Sequence, residues 1–206
     1  MADGLLVFAP LRIEAAVLPK RHGWTVIRSG MGPARARIAA ARGLAVDARA
    51  VCVAGLCAAV SPELRSGDVV CATELRPTAV TLRSAPLAQL LRRDGLRVHE
   101  GPILSVDRIM GADERRLYDG VLAVDMESAW LAEAADGRPL AVLRVVVEEA
   151  GRDLVDLRTP AAGIKALRNL RRAAALLDEW ADGARHEGPR AYLGGDEGRR
   201  PQEVSA

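Results

Sequence analysis

Apolar residues in this chain fall in short unbroken runs separated by turn residues. Leu5–Ala9 is apolar at every position and closes at Pro10, the pattern of a strand buried on both faces. Thr25–Arg28 predicts a second strand, ended by Ser29-Gly30-Met31-Gly32. Pro33 then stands where the first turn of a helix tolerates it, and Ala34–Leu44 is helical by propensity. Ala50–Ala54 and Asp68–Ala72 are further apolar strands, the latter introduced by the turn Ser66-Gly67. Leu87–Arg93 predicts a helix; Arg97–Glu100 and Pro102–Leu104 predict strands. The apolar Val121–Val124 leads into a helix over Asp125–Ala135. Leu140–Val147 is the most β-prone run. Ile164–Trp180 reads as one long helix, with Leu167, Leu170, Ala174, Leu177 and Trp180 at helical spacing.

Apolar strands alternating with helices predict an α/β fold whose sheet is covered on both faces. One domain over 1–182 accounts for the pattern, without internal repeat. From about Gly183 the composition turns to Gly, Arg, Glu and Pro, so 183–206 is expected to be a flexible tail. At 50% hydrophobic and 27% charged, the 206-residue chain is not generally disordered. Only 3% is aromatic, so the core must be built from Ala, Leu and Val. Basic and acidic residues nearly cancel, at 29 and 27, which argues against a nucleic-acid footprint. No apolar run reaches the ~18–20 residues of a membrane span, and the N-terminus lacks the pattern of a signal peptide. Cys52, Cys57 and Cys71 lie in apolar stretches and read as buried free thiols. A soluble, cytoplasmic protein is expected.

The candidate chemistry is acidic. Gly30-Met31-Gly32 sits between a strand and a helix, where backbone N–H groups attract anions, but Arg35 occupies the third glycine of a dinucleotide fingerprint, so ordinary turn chemistry is the better reading. No nucleophile elbow, P-loop, HExxH or CxxC pair is present, and His22, His99 and His186 are scattered, so neither a metal site nor a triad hydrolase is expected. Glu14, Asp125-Met126-Glu127 and Glu148-Glu149 each follow the end of a predicted strand, where α/β sheets bind ligands. Each has an ordinary alternative: Asp125 as a helix cap, Glu148 and Glu149 as solvated loop charges. If the strands are parallel neighbours, the three groups meet at one sheet edge. Arg144, inside the most β-prone run, needs a carboxylate partner unless it faces solvent on an edge strand.

Several ordered motifs together resemble the nucleoside phosphorylase/nucleosidase superfamily. Val124-Asp125-Met126-Glu127-Ser128-Ala129 looks like its signature at a helix head, and Leu143-Arg144-Val145-Val146-Val147-Glu148 like its strand ending in an acid. Gly55 to Val70 is similar to its glycine-rich loop and the strand that follows, and Ser29-Gly30-Met31-Gly32-Pro33 and Glu14 fall in register. The resemblance implies a three-layer α/β/α fold around a twisted mixed sheet, commonly dimeric, with no cofactor. Within the superfamily the chain is most similar to nucleosidases of 5′-substituted adenosines, and among these to the hopanoid-biosynthesis branch that removes adenine from adenosylhopane.

Carried over by position, the resemblance makes Glu14 the carboxylate that activates water and Glu148 the acid at purine N7, with Arg144 near the nucleophile. Glu127 would hold the ribose hydroxyls and Met126 pack beneath the sugar. Ile109 and Met110 would lie at the base, with Leu56 and Cys57 in the loop lining the site. The chemistry suits these residue types: glycosidic cleavage develops positive charge on the sugar and negative charge on the leaving base, so a carboxylate and a general acid are both wanted. There are departures. The acid at 148 is usually Asp, with Glu149 beside it as a rival, and position 109 is usually aromatic. Val53 and Leu56 replace the phosphate ligands of the phosphorylase branch, and Ala58 and Ala59 replace loop glycines, which favours water as nucleophile; Arg12, Arg35 or Arg144 could instead supply a phosphate site. Methylthioadenosine/adenosylhomocysteine or futalosine hydrolysis, and an inactive nucleoside-binding relative, are the alternatives.

Overall fold

The computed structural model describes residues 4–151 and 160–186. Eight strands make one mixed sheet: β1 (Leu5–Ala9), β2 (Trp24–Arg28), β3 (Ala50–Ala59), β4 (Val69–Arg76), β5 (Val80–Thr81), β6 (Val98–Ser105), β7 (Ala123–Asp125) and β8 (Leu140–Glu148). The helices are α1 (Arg12–Val17), α2 (Pro33–Leu44), α3 (Ala85–Arg93), α4 (Ala112–Arg115), α5 (Ser128–Leu131), α6 (Pro160–Ala174) and α7 (Leu177–His186). β1, β2 and β8 join β3 in a parallel set, β2 through β1. β8 also pairs antiparallel with β4, β4 parallel with β6, β6 parallel with β7, and β7 antiparallel with β3. The pairings β3–β8–β4–β6–β7–β3 therefore close a ring, with β1 and β2 extending from β3 and β5 from β4.

The strand pattern explains the two-sided core. Leu6, Phe8, Val51, Val53, Val142 and Val146 point to one face, against Ala36, Ala39 and Ala40 of α2 and Trp130 and Leu131 of α5. Leu5, Val7, Cys52, Leu143 and Val145 point to the other, against Leu87 and Leu91 of α3, Ala166 and Leu170 of α6 and Trp180 of α7. The three cysteines are buried and free, as expected.

Several boundaries differ from expectation. The strand at Ala50 continues through the anticipated loop to Ala59, because Leu56 and Cys57 remain in register with Val145 and Val146 of β8. The strands expected over Arg97–Glu100 and Pro102–Leu104 are one, β6, which starts at Val98. The expected helix over 125–135 is split: Asp125 ends β7, α5 is one turn, and a 3₁₀ turn over Ala132–Ala135 ends at Asp136 in the left-handed region, φ 46°. The helix expected over 164–180 starts at Pro160, breaks at 175–176, and α7 runs on through Gly183 to His186. The rest of the segment expected as a tail, 187–206, lies outside the described residues. The short elements α1, α4 and β5 escape the sequence pattern, and the two helices carry site residues. Among the described residues, no helix is long and apolar enough to cross a membrane.

Candidate active site

The ends of β1, β7 and β8 converge on a cavity of about 330 Å³. Their directions are not all as expected: β1 and β8 are parallel to β3, whereas β7 is antiparallel to it and reaches the cavity because it pairs beside the C-terminal end of β3, Val124 opposite Ala58. Glu14, Glu127 and Glu148 line this space with Asp125, Met126, Leu56, Cys57, Ile109 and Met110. Pro10, Leu11, Met31, Val106 and Val147 complete a mostly apolar wall.

One wall is a nest of buried charge. Glu14, in the first turn of α1, is 2% exposed. Its Oε1 accepts from the Leu56 backbone N–H at 2.8 Å and its Oε2 from Leu11 N–H at 2.6 Å. Asp125 caps the following turn: Oδ1 accepts from the N–H groups of Glu127 and Ser128 and from Ser105 Oγ at 2.6 Å. Its other oxygen lies 2.8 Å from Arg144 Nε. Arg144 is fully buried on an inner strand, also donates to Ser128 Oγ at 2.9 and 3.1 Å, and approaches Glu127 Oε2 at 3.6 Å. The anticipated carboxylate partner is thus Asp125, supported by Glu127, and the solvent-facing alternative is ruled out.

Three carboxylates share this one guanidinium, so they cannot all ionise without leaving uncompensated buried charge. Burial pushes Glu127 up to about 7, with Arg144 opposing. Burial also raises Glu14, against Arg144 and the two backbone N–H groups. Arg144 is itself held charged: burial disfavours the cation, but Asp125, Glu127 and Glu14 outweigh it. Burial pushes the Cys57 thiol far up, so it is an inert part of the wall.

Glycine is required at two points. At Gly55 a Cβ would lie 2.5 Å from Arg144 Nη1 and 2.9 Å from Glu14 Oε1, so any side chain would push the cation and the acid off their positions. Gly32, at φ +88°, turns its N–H onto Glu127 Oε1 at 3.1 Å. The Gly-x-Gly turn therefore serves an acid of the site, which agrees with its reading as turn chemistry.

Glu148, at the end of β8, also lines the cavity, and its Oε2 receives Arg115 Nη1 at 3.0 Å. Glu149 instead turns its Oε1 to the Ser66 backbone N–H, 3.2 Å away. At the mouth, Ile109 and Met31 are 63% and 46% exposed. Among the described residues, no group of three or more His, Cys, Asp or Glu side chains could hold a metal ion.

Residues 12–179 match the family model described as the Phosphorylase superfamily. The chain belongs to this superfamily. No curated protein matches the sequence. Among solved structures, the chain resembles the 5′-methylthioadenosine/S-adenosylhomocysteine nucleosidase of Campylobacter jejuni, at 16% identity and TM-score 0.71 over 87% of this chain and 99% of that one. It resembles the Helicobacter pylori enzyme of the same name, held with butyl-thio-DADMe-Immucillin-A, at 16% identity and TM-score 0.65 over 89% and 98%. Futalosine hydrolase of Helicobacter pylori matches at 16% identity and TM-score 0.65 over 91% and 99%. These likenesses establish the fold, a mixed sheet with flanking helices as in the superfamily's nucleosidases.

All the sequence-predicted site residues except Arg144 line this cavity, and Arg144 lies directly behind it as the partner of two acids. Ile109 projects into solvent at the mouth, while Met110 is buried. Sequence reasoning missed Arg115, Ser128 and Met31. The partners of Arg115 and of Ser128 lie 33 and 16 residues away, so no local spacing announces them. Met31 stands in a turn whose glycines and register carried the reading.

Proposed function

We propose that this protein is a nucleosidase that cleaves the N-glycosidic bond of a 5′-substituted adenosine and releases adenine. The observation that carries this reading is the meeting of Glu14, Glu127 and Glu148, from three separate segments, on one mostly apolar cavity in a chain of the phosphorylase superfamily. Glu14, fixed by two backbone N–H groups and raised toward neutrality by burial, suits a general base for water. Glu127, positioned by Gly32 N–H and Arg144, suits a grip on sugar hydroxyls, with Met126 beside it. Glu148, which shares Arg115 with the Met110 carbonyl, suits the leaving purine.

Water is favoured over phosphate as the nucleophile because the cavity-lining cations are engaged: Arg108 pairs with Glu114 and Arg115 with Glu148. The size of the cavity bears on the 5′ group. About 330 Å³ is at the small end for ligand pockets, enough for a nucleoside but not for a large substituent. A bulky apolar 5′ group, as in an adenosylhopane-type substrate of hopanoid biosynthesis, would leave past the exposed Ile109 and Met31. The nucleosidases that share this fold, of methylthioadenosine, adenosylhomocysteine and futalosine, define the competing substrates.

The test is chromatography of the products after incubation with methylthioadenosine, adenosylhomocysteine, futalosine and an adenosylhopane analogue, each with and without phosphate. Adenine release independent of phosphate is expected, greatest with an apolar 5′ group. No free base from any of the four would overturn the reading, and a base released from futalosine alone would reassign the substrate.

A further inference from the structure

A second buried arginine stands at the cavity. Arg115, the last residue of α4, is 2% exposed. Its Nη1 donates to the Met110 carbonyl at 2.9 Å and to Glu148 Oε2 at 3.0 Å, and its Nη2 to the Glu149 carbonyl at 3.5 Å. One guanidinium therefore ties together three things: the backbone of the cavity-lining Met110, the Glu148 carboxyl, and the main chain just beyond β8. A buried cation is costly unless held by several such acceptors. The planar fork of arginine can reach all of them at once, whereas a lysine would bring a point charge on a flexible stem. Glu148 has three side-chain torsions, and it leaves the end of β8 where the strand is no longer flanked on both sides. Without a fixed partner its carboxyl would sample several positions, while leaving-group chemistry tolerates little displacement.

We infer that Arg115 is a positioning residue for the leaving-group step, holding the Glu148 carboxyl at the base-binding end of the cavity and locking the Met110 wall against it. This inference rests on the functional reading above. It also accounts for which of the adjacent acids takes part: Arg115 binds the side chain of Glu148 but only the main chain of Glu149, whose carboxyl is turned to Ser66.

The test is steady-state kinetics of R115Q, R115K, E148Q and the double variant R115Q/E148Q, on whichever nucleoside of the panel above the wild type cleaves fastest. Thermal melts run alongside show which variants fold. If Arg115 acts through Glu148, R115Q lowers kcat by about 10²-fold with KM little changed. R115K recovers part of that loss, and R115Q adds little once Glu148 is already Gln. A merely structural arginine would raise KM, and its loss would cost the same factor in the E148Q background as in the wild type; either result overturns the inference. If R115Q fails to fold, R115K decides: wild-type kcat in R115K would sink the proposal, and a kcat loss absent from R115K/E148Q would support it. Full activity in E148Q would remove the group that Arg115 is said to position. Absence of base release by the wild type from every nucleoside would instead fail the functional reading, and this inference with it.

Discussion

The two charged walls of the cavity solve the same problem differently. On one, Arg144 serves Asp125, Glu127 and, at longer range, Glu14, all inside the protein. On the other, Arg115 ties the Glu148 carboxyl to the backbone carbonyls of Met110 and Glu149. In the first nest acids outnumber cations, so burial drives part of the negative charge off and lifts Glu127 and Glu14. In the second, the backbone carbonyls of Met110 and Glu149 take up guanidinium hydrogens beside the Glu148 carboxyl. The lesson is that the surroundings of a guanidinium, several buried acids in one case and a carboxyl with backbone carbonyls in the other, distinguish a nest that holds protons from a wall that fixes a carboxyl.

The largest way to break the contrast is to remove Arg144. R144M leaves Asp125, Glu127 and Glu14 buried with no cation among them. Removing one partner of a buried charge cluster costs about 3–5 kcal/mol, so urea unfolding at pH 8 is expected to reveal a loss of that size. The loss should shrink toward pH 4.5, where Glu127, raised to about 7, is protonated and no longer needs the cation. Stability within about 1 kcal/mol of wild type at pH 8 would mean that the nest does not depend on its arginine in this way.

How far this contrast was legible beforehand follows from distance along the chain. The apolar runs of β1, β3, β4 and β8 declared themselves because nearly all their apolar positions are buried, and Glu14, Glu127 and Glu148 stood out by following strand ends. Arg144 announced its need for a carboxylate simply by sitting in an apolar strand. Arg115 gave no such sign: it lies in a charged, surface-like stretch, and only the tertiary fold brings Glu148 to it. The helices α1 and α4 are six and four residues long, too short to show a period, so Glu14 was placed after a strand without its helical turn. The closed ring was likewise invisible, because it depends on β8 pairing with β3 on one side and β4 on the other, and pairing partners leave no mark in either run.

A gentler probe is the titration of Glu127. Its carboxyl is raised from the ordinary 4.5 to about 7, so between those values the folded protein keeps a proton that the unfolded chain has released. The stabilisation associated with that proton is complete below about 4.5 and declines as pH rises toward 7, by up to ~3 kcal/mol. E127Q removes this titration, and its stability, followed by urea unfolding across pH 4.5–8, is expected to fall less steeply than that of the wild type. Glu14 shifts in the same direction, so some slope remains. An unchanged slope in E127Q would show that the acid nest holds its protons elsewhere.

The smallest expected effect sharpens the comparison at a single residue. Glu148 and Glu149 are neighbours of the same chemistry, yet Glu148 lines the cavity and Glu149 accepts the Ser66 N–H. In E149Q the amide oxygen still accepts that hydrogen bond, and kcat is expected to stay within about twofold of wild type, the scale of a change away from any critical contact. E148Q cannot donate an acidic proton and presents one acceptor oxygen in place of two, so kcat should fall by ~10²–10⁴-fold, as expected for lost acid catalysis. Measured side by side on the same substrate, the two variants separate cavity from surface at adjacent positions. A larger loss in E149Q than in E148Q would move the leaving-group acid by one residue and make the Arg115 pair a structural clasp.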